Sequence, residues 1–205
     1  NRPSSGSNTV FNVCNINSGS THCLHQPNVL VCRIEELYKV LIHELIHAMD
    51  YDCKTDNKSI DIKIQDILNI SPKFNHFEAY TEIWANILNS YFISTILSHD
   101  SIHYNYPLFT ELICYERQWS YIQTAKILLC SGSNVKTSGK INYDKLSYMN
   151  NVTNVYAYFI LRSFFYHNIN EFIEYFGKVN SSYIDLQKNN DLYNNYVLEI
   201  VKKTV

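Results

Sequence analysis

Hydrophobic positions along the chain change character near residue 33. Beyond it, Ile34, Leu37, Tyr38, Leu41, Leu45, Ala48 and Met49 recur at steps of three and four, which predicts an amphipathic helix with that face turned to a core. Glu35 and Glu36 fall in its first turn, where the helix dipole favours acids. "DYDCKTDNK" ends it. "SIDIKIQDILNI" suits a short strand or a short helix equally. A second long helix is expected from Ser71 to Leu97, with Ser71 as N-cap and Pro72 at the first helical position. Further helices are expected at about 106–130, 152–167, 169–178 and 190–203, with the turn-like "CSGSNVKTSGK" between the first two of these. Ahead of residue 33 the pattern differs. Residues 1–28 are polar and rich in Ser and Asn, and read as irregular apart from "TVFNVC", a candidate strand. "VLVC" (Val29–Cys32) is a second candidate strand. The expected fold is therefore α+β and mainly helical, a single domain over 1–205 with a small N-terminal sheet.

Composition changes this picture little. A hydrophobic content of 46% with 18% charged residues belongs to a folded chain. The net charge of −2 carries no basic or acidic block, which argues against broad nucleic-acid or anionic-membrane binding. No apolar run reaches membrane-spanning length. The six cysteines form no C-x-x-C pair and read as scattered reduced thiols. The 17 tyrosines and the Asn and Ile enrichment match a genome poor in G and C. Trp84 and Trp119 read as core residues.

The chemistry sits in "HELIH". His43 and His47, four apart on a helix, project from one face and can reach a single ion at about 2.0–2.1 Å each. Glu44, beside the first histidine, is positioned to touch an activated water without binding the metal. Uncharged neighbours (Leu41, Ile42, Leu45, Ile46, Ala48, Met49) let this helix run through a core. A catalytic zinc needs a third protein ligand. Glu78 and Glu82 in "FEAYTEIWAN", also four apart, share a helical face, so that one can ligate while the other holds a ligand histidine. Asn75-x-x-Glu78 also reads as a helix capping box.

These motifs resemble the zincin metallopeptidases of the gluzincin kind. "EAYTEIWA" is similar to their E-A-x-S-D-I-F-G pattern, which implies Glu78 as the zinc ligand and Glu82 in the place of the aspartate that orients a histidine, one methylene longer. A rival match to N-E-G-x-A patterns implies Glu82 as the ligand. The metzincin pattern H-E-x-x-H-x-x-G-x-x-H would put Cys53 at the third position, but Asp50 stands where its glycine belongs. "HELIHAMDYDC" and "TEIWAN" also resemble the mitochondrial inner-membrane peptidases that mature an ATP synthase subunit, although their cysteine spacing is not reproduced. "RIEELYKVLIHELIHA", "EAYTEIWA" and "TNVYAYFILRSFF" resemble uncharacterised metallopeptidase-like proteins of large DNA viruses. Together these likenesses cover about a third of the chain.

The resemblance implies a zincin-like domain in which the HELIH helix packs on a second ligand helix, one Zn²⁺ ion, and hydrolysis of a peptide or protein substrate. Glu44 would be the general base. The oxyanion donor would come from Tyr156, Tyr158 or His167, with Tyr158 favoured by the viral likeness. His25, His76 and His103 read as surface or core histidines, and Lys39 and Arg33 as surface or ion-paired cations. An extended substrate would pair with an edge strand, "VLVC" or "TVFNVC". If the chain is viral, its expected location is the host cytoplasm or the virion. Two alternatives stay open: a non-catalytic zinc-binding virion component, and a zinc hydrolase of a non-peptide amide.

Overall fold

The computed structural model describes residues 18–22, 28–52, 58–68, 74–98, 105–130, 154–179, 184–186 and 190–204. Strand β1 (Gly19–His22) pairs antiparallel with β2 (Asn28–Val31), with Gly19 opposite Val31 and His22 opposite Asn28. A 3₁₀ turn, Ile34–Glu36, leads into α1 (Leu37–Ala48). Then come α2 (Lys58–Leu68), α3 (His76–Ile96) and α4 (Tyr106–Cys130). A π-helical turn, Ala157–Leu161, runs into α5 (Arg162–His167), followed by α6 (Ile169–Val179) and α7 (Asn190–Thr204). Among the described residues the protein is mainly helical with one small antiparallel sheet.

Helix α3 is the central element. From His76 to Ile87 it is buried nearly all round, which is the pattern of a helix enclosed by others. Around it pack α1, α4, the π-turn and α5. Its start is fixed by Asn75, whose side-chain oxygen accepts the Phe77 N–H at 3.0 Å. The cap is therefore at Asn75, four residues after the expected Ser71, which itself lies outside the described residues, and Phe74 and Asn75 are not helical. On one flank an aromatic cluster of Tyr80, Trp84, Phe165, Phe172, Phe176 and Tyr193 fills the core. Buried tyrosines there find backbone acceptors: Tyr80 donates to the Ile184 carbonyl at 2.8 Å and Tyr193 to that of His76 at 2.9 Å. His76 itself ties three helices, with Nδ1 at 2.7 Å from Asp61 and Nε2 at 2.9 Å from Asn194.

Several expectations change on inspection. The ambiguous "SIDIKIQDILNI" is helical in α2, with Ile60, Ile64 and Leu68 buried at steps of four. Strand β1 lies inside the stretch read as irregular. Its Gly-Ser-Thr-His sequence shows no alternation, and pairing with β2 defines it. "TVFNVC" lies outside the described residues. Trp84 is buried, but Trp119 on α4 is half exposed. The largest difference is in α1. Its inward face carries Val40, His43, Glu44, Ile46 and His47, while Ile34, Tyr38, Leu45 and Met49 are exposed. Periodicity finds an apolar stripe but does not say which stripe is covered. Here the helix meets α3 through its polar face, because α3 offers opposite charges there. Cys32 and Cys114 are free thiols. Among the described residues no helix is long and apolar enough to cross a membrane.

Helix α1 ends in a way that shapes the site. Asp50 has φ of 56°, the left-handed region. The Tyr51 N–H bonds the Ile46 carbonyl at 3.0 Å and the Asp50 N–H that of His47 at 3.1 Å. This is a Schellman cap with aspartate where glycine is usual. The Tyr51 carbonyl then accepts the Leu186 N–H at 2.8 Å, which pins the turn. A left-handed residue costs an L-side chain about 1 kcal/mol, somewhat less for Asp. Asp50→Gly is therefore expected to raise unfolding free energy by up to about 1 kcal/mol, read as a higher urea midpoint at unchanged slope. A lower midpoint would contradict this account of the cap.

Candidate metal centre

Three ligand atoms converge between α1 and α3. His43 Nε2 and His47 Nε2 stand 3.0 Å apart. Glu78 Oε2 lies 3.6 Å from the first and 3.3 Å from the second. His43, His47 and Glu78 are a group able to hold one metal ion. Tetrahedral zinc with bonds of about 2.0–2.1 Å separates its ligand atoms by about 3.3–3.4 Å. The observed triangle brackets that spacing, so these three donors fit zinc without rearranging the helices.

The remaining nitrogen of each ring is turned to a carboxylate. His47 Nδ1 is 2.6 Å from Asp52 Oδ2, and Asp52 is fully buried. His43 Nδ1 is 3.0 Å from Glu82 Oε2, close in distance though off the line of a ring N–H bond. Glu82 in turn takes two cations on its other oxygen, Lys39 and Arg162, each at 2.7 Å. The Tyr158 hydroxyl donates to Glu78 Oε2 at 3.2 Å. Every helix involved uses the same four-residue step. Lys39, His43 and His47 descend one face of α1, Glu78 and Glu82 one face of α3, and Tyr158 and Arg162 one face of the π-turn and α5. Rungs of opposite charge or donor–acceptor pairs join them. The π-turn adds a residue to the helix just where Tyr158 and Arg162 must both reach α3.

Glu44, next to His43 in the chain, is also buried, where α1 meets strand β1. The Thr21 hydroxyl on β1 donates to Glu44 Oε2 at 2.5 Å. Strand β1 comes this close because residue 19 is glycine. A Cβ there would stand 2.6 Å from Val40 Cγ1, 2.9 Å from Glu44 Oε1 and 2.9 Å from the Leu30 carbonyl.

Other residues singled out from the sequence lie elsewhere. Tyr156 is in the core and His167 is exposed. His76 belongs to the helix staple described above. His25, His103 and Cys53 are outside the described residues. Arg33 pairs with Glu36 at 3.6 Å on the surface. Three residues at the site were not foreseen: Asp52, Arg162 and Thr21. The first two carried a signal. Asp52 follows His47 by five residues, just past the cap. Tyr158-x-x-x-Arg162 repeats the step of Glu78-x-x-x-Glu82. Thr21 carried none.

Burial and charge oppose each other here, and charge wins. Burial would push the His47 imidazole down, but the bonds to Asp52 and Glu78 raise it to about 9. His43 is raised too: burial would lower it, but the Glu78 and Glu82 carboxylates outweigh burial. Burial would raise both glutamates. The two histidines hold Glu78 well below the usual carboxylate range, and Lys39, His43 and Arg162 do the same for Glu82. The Tyr158 phenol is pushed up by burial and by the Glu78 and Glu82 charges, so it stays a donor.

The chain is 28% identical over 208 residues to the "Uncharacterized protein R210" of Acanthamoeba polyphaga mimivirus, an alignment covering 96% of this chain and 50% of that protein. It thus spans half the length of that relative. That relative comes from a mimivirus, in keeping with the viral resemblance of the motifs. No family model matches the chain, and no solved structure does.

The protonation pattern has a sign that can be tested. His47 is raised from 6.5 to about 9, so in metal-free protein its stabilising contribution is complete below pH 6.5 and is lost as pH rises through about 9. Glu78 is lowered from 4.5, so its contribution is present above pH 4.5 and is lost as pH falls further. A zinc ion requires both imidazoles neutral and must displace the His47 proton. Zinc titration at pH 7 is expected to release at least one proton, seen as an apparent binding enthalpy that changes with the ionisation enthalpy of the buffer. Metal-free protein should lose melting temperature between pH 6.5 and 9. A buffer-independent enthalpy would contradict this assignment.

Proposed function

We propose that the protein is a zinc-dependent metallopeptidase of zincin-like architecture, in which His43, His47 and Glu78 hold one zinc ion and Glu44 is the general base. The observation that supports this most is the triangle of 3.0, 3.3 and 3.6 Å made by two imidazoles and one carboxylate, with a further buried carboxylate at Glu44 on the same helix. A purely structural zinc site has no use for Glu44.

Zinc held there supplies a Lewis acid that polarises a carbonyl and lowers the pKa of water. The rest is work for the chain. Thr21 fixes Glu44 through Oε2, which leaves Oε1 to take a proton from the attacking water and return it to the leaving amine nitrogen. The Tyr158 hydroxyl, kept protonated, turns from Glu78 to donate to the carbonyl oxygen as negative charge develops on it. Asp52 and Glu82 hold the two rings in the orientation that presents both Nε2 atoms. Lys39 and Arg162 keep Glu82 ionised for that task. The substrate on this reading is a peptide or protein, and the setting is the virion or infected-cell cytoplasm.

A second reading, a zinc-binding protein without turnover, draws on how fully Glu44 is enclosed: it is buried and already bonded to Thr21. One experiment separates the two. Zinc-loaded protein is incubated with a diverse peptide mixture and cleavage is followed by mass spectrometry, beside Glu44→Gln. The peptidase reading expects cleavage that falls by about 10²–10⁴-fold in the variant while zinc content is unchanged. Absence of cleavage in the parent supports the second reading. Cleavage that survives Glu44→Gln overturns the assigned base.

A further inference from the structure

Helix α4 carries a second pattern that the candidate metal centre does not use. Its inner face, with Ser120, Thr124, Ile127 and Leu128 buried, packs on the helical core, and Thr124 Oγ1 donates to the Phe159 carbonyl at 2.8 Å. That bond fixes the rotation of the helix. Along the outer side run Leu112, half-buried, and Tyr115, Trp119, Ile122, Lys126 and Leu129, exposed, at steps alternating three and four. Tyr115 is 56% exposed, Trp119 50%, Ile122 49% and Leu129 72%. An ordinary amphipathic helix buries its stripe. A 3–4 stripe left outside, over a stretch of about 26 Å, has the spacing of a helix-pair seam.

The charge in that seam selects the partner and its direction. Lys126 is its single ionic residue. If two copies paired in parallel, each seam position would face itself, and Lys126 would meet Lys126. In an antiparallel pair the two kinds of seam position face each other. Leu112 then meets Leu129 of the second copy, Trp119 meets Ile122, and Lys126 meets Tyr115. Tyr115 already donates to Glu111 Oε1 at 2.5 Å, so the incoming ammonium finds an aromatic face and a carboxylate. Within one chain Lys126 already sits 5.4 Å from the centre of the Trp119 ring, so the cation lies on the stripe. The stripe is thus complementary to itself under a two-fold axis perpendicular to the helix and not under one that runs along it.

We propose that the outer face of α4 is a homodimer interface, in which a second copy of this chain docks antiparallel along Leu112–Leu129 with Lys126 answering Glu111 and Tyr115 of its partner. The test is sedimentation equilibrium of the full chain over micromolar concentrations, with far-UV circular dichroism on each variant as a check of folding. The parent should show a concentration-dependent dimer. Trp119→Asp should be monomeric. Lys126→Glu and Glu111→Lys should each weaken the dimer about tenfold or more, and the double variant should recover it. A parent that stays monomeric at every concentration overturns the proposal, as it would if another segment or partner covers this face. So does a dimer untouched by Trp119→Asp. Failure of the double variant to recover association overturns the antiparallel register.

Discussion

Everything near the site depends on burying two imidazoles between helices with carboxylates set against both of them. Removing one partner of a buried ion pair costs about 3–5 kcal/mol, against a total stability of about 5–15 kcal/mol for a domain. A fold cannot carry several such debts. Here the solution is a repeated step of four residues on three helices. Glu78 is answered by both histidines and Tyr158, and Glu82 by Lys39, Arg162 and His43. Asp52 answers His47 from the cap of α1. This network also explains why α1 turns its polar face inward. The charges on α3 make that face the favourable one to bury, and the apolar stripe is left outside.

Glu82 shows how a one-methylene change is absorbed. The resemblance implied an aspartate in its place, reaching one histidine. The longer side chain spans His43 on one oxygen and two cations on the other. It therefore does more than orient a ring: it links the metal-ligand candidates on α1 to Arg162 at the start of α5. Tyr158 and Arg162 are paired in the same way with Glu78 and Glu82, so the π-turn is the third wall of the site. Strand β1 is the fourth, brought against Glu44 by the lack of a side chain at Gly19.

How much of this could be read in the sequence follows from the range of each signal. The histidine and glutamate pairs were legible because a four-residue step is a local property of a helix. Most helix positions were legible for the same reason, and α4 was expected at the bounds it has. Which face of α1 is covered was not legible, since that depends on charges 35 residues away at Glu78 and beyond. Strand β1 was not legible because its residues have no strand preference of their own. Asp52 was hidden by the absence of glycine at residue 50, since the left-handed turn that aims it is made by an aspartate instead. Trp119 was read as core because a tryptophan on a periodic helix usually is.

On the proposed reading, His43, His47 and Glu78 bind one zinc ion through nitrogen and oxygen alone. X-ray absorption at the zinc edge of the purified protein tests it most directly. The expected spectrum has nitrogen and oxygen scatterers at about 2.0–2.1 Å, with the outer-ring signature of two imidazoles. A sulfur scatterer at about 2.3 Å would move the third ligand to a cysteine such as Cys53. Sulfur there, or protein that takes up no zinc, would contradict the site described here.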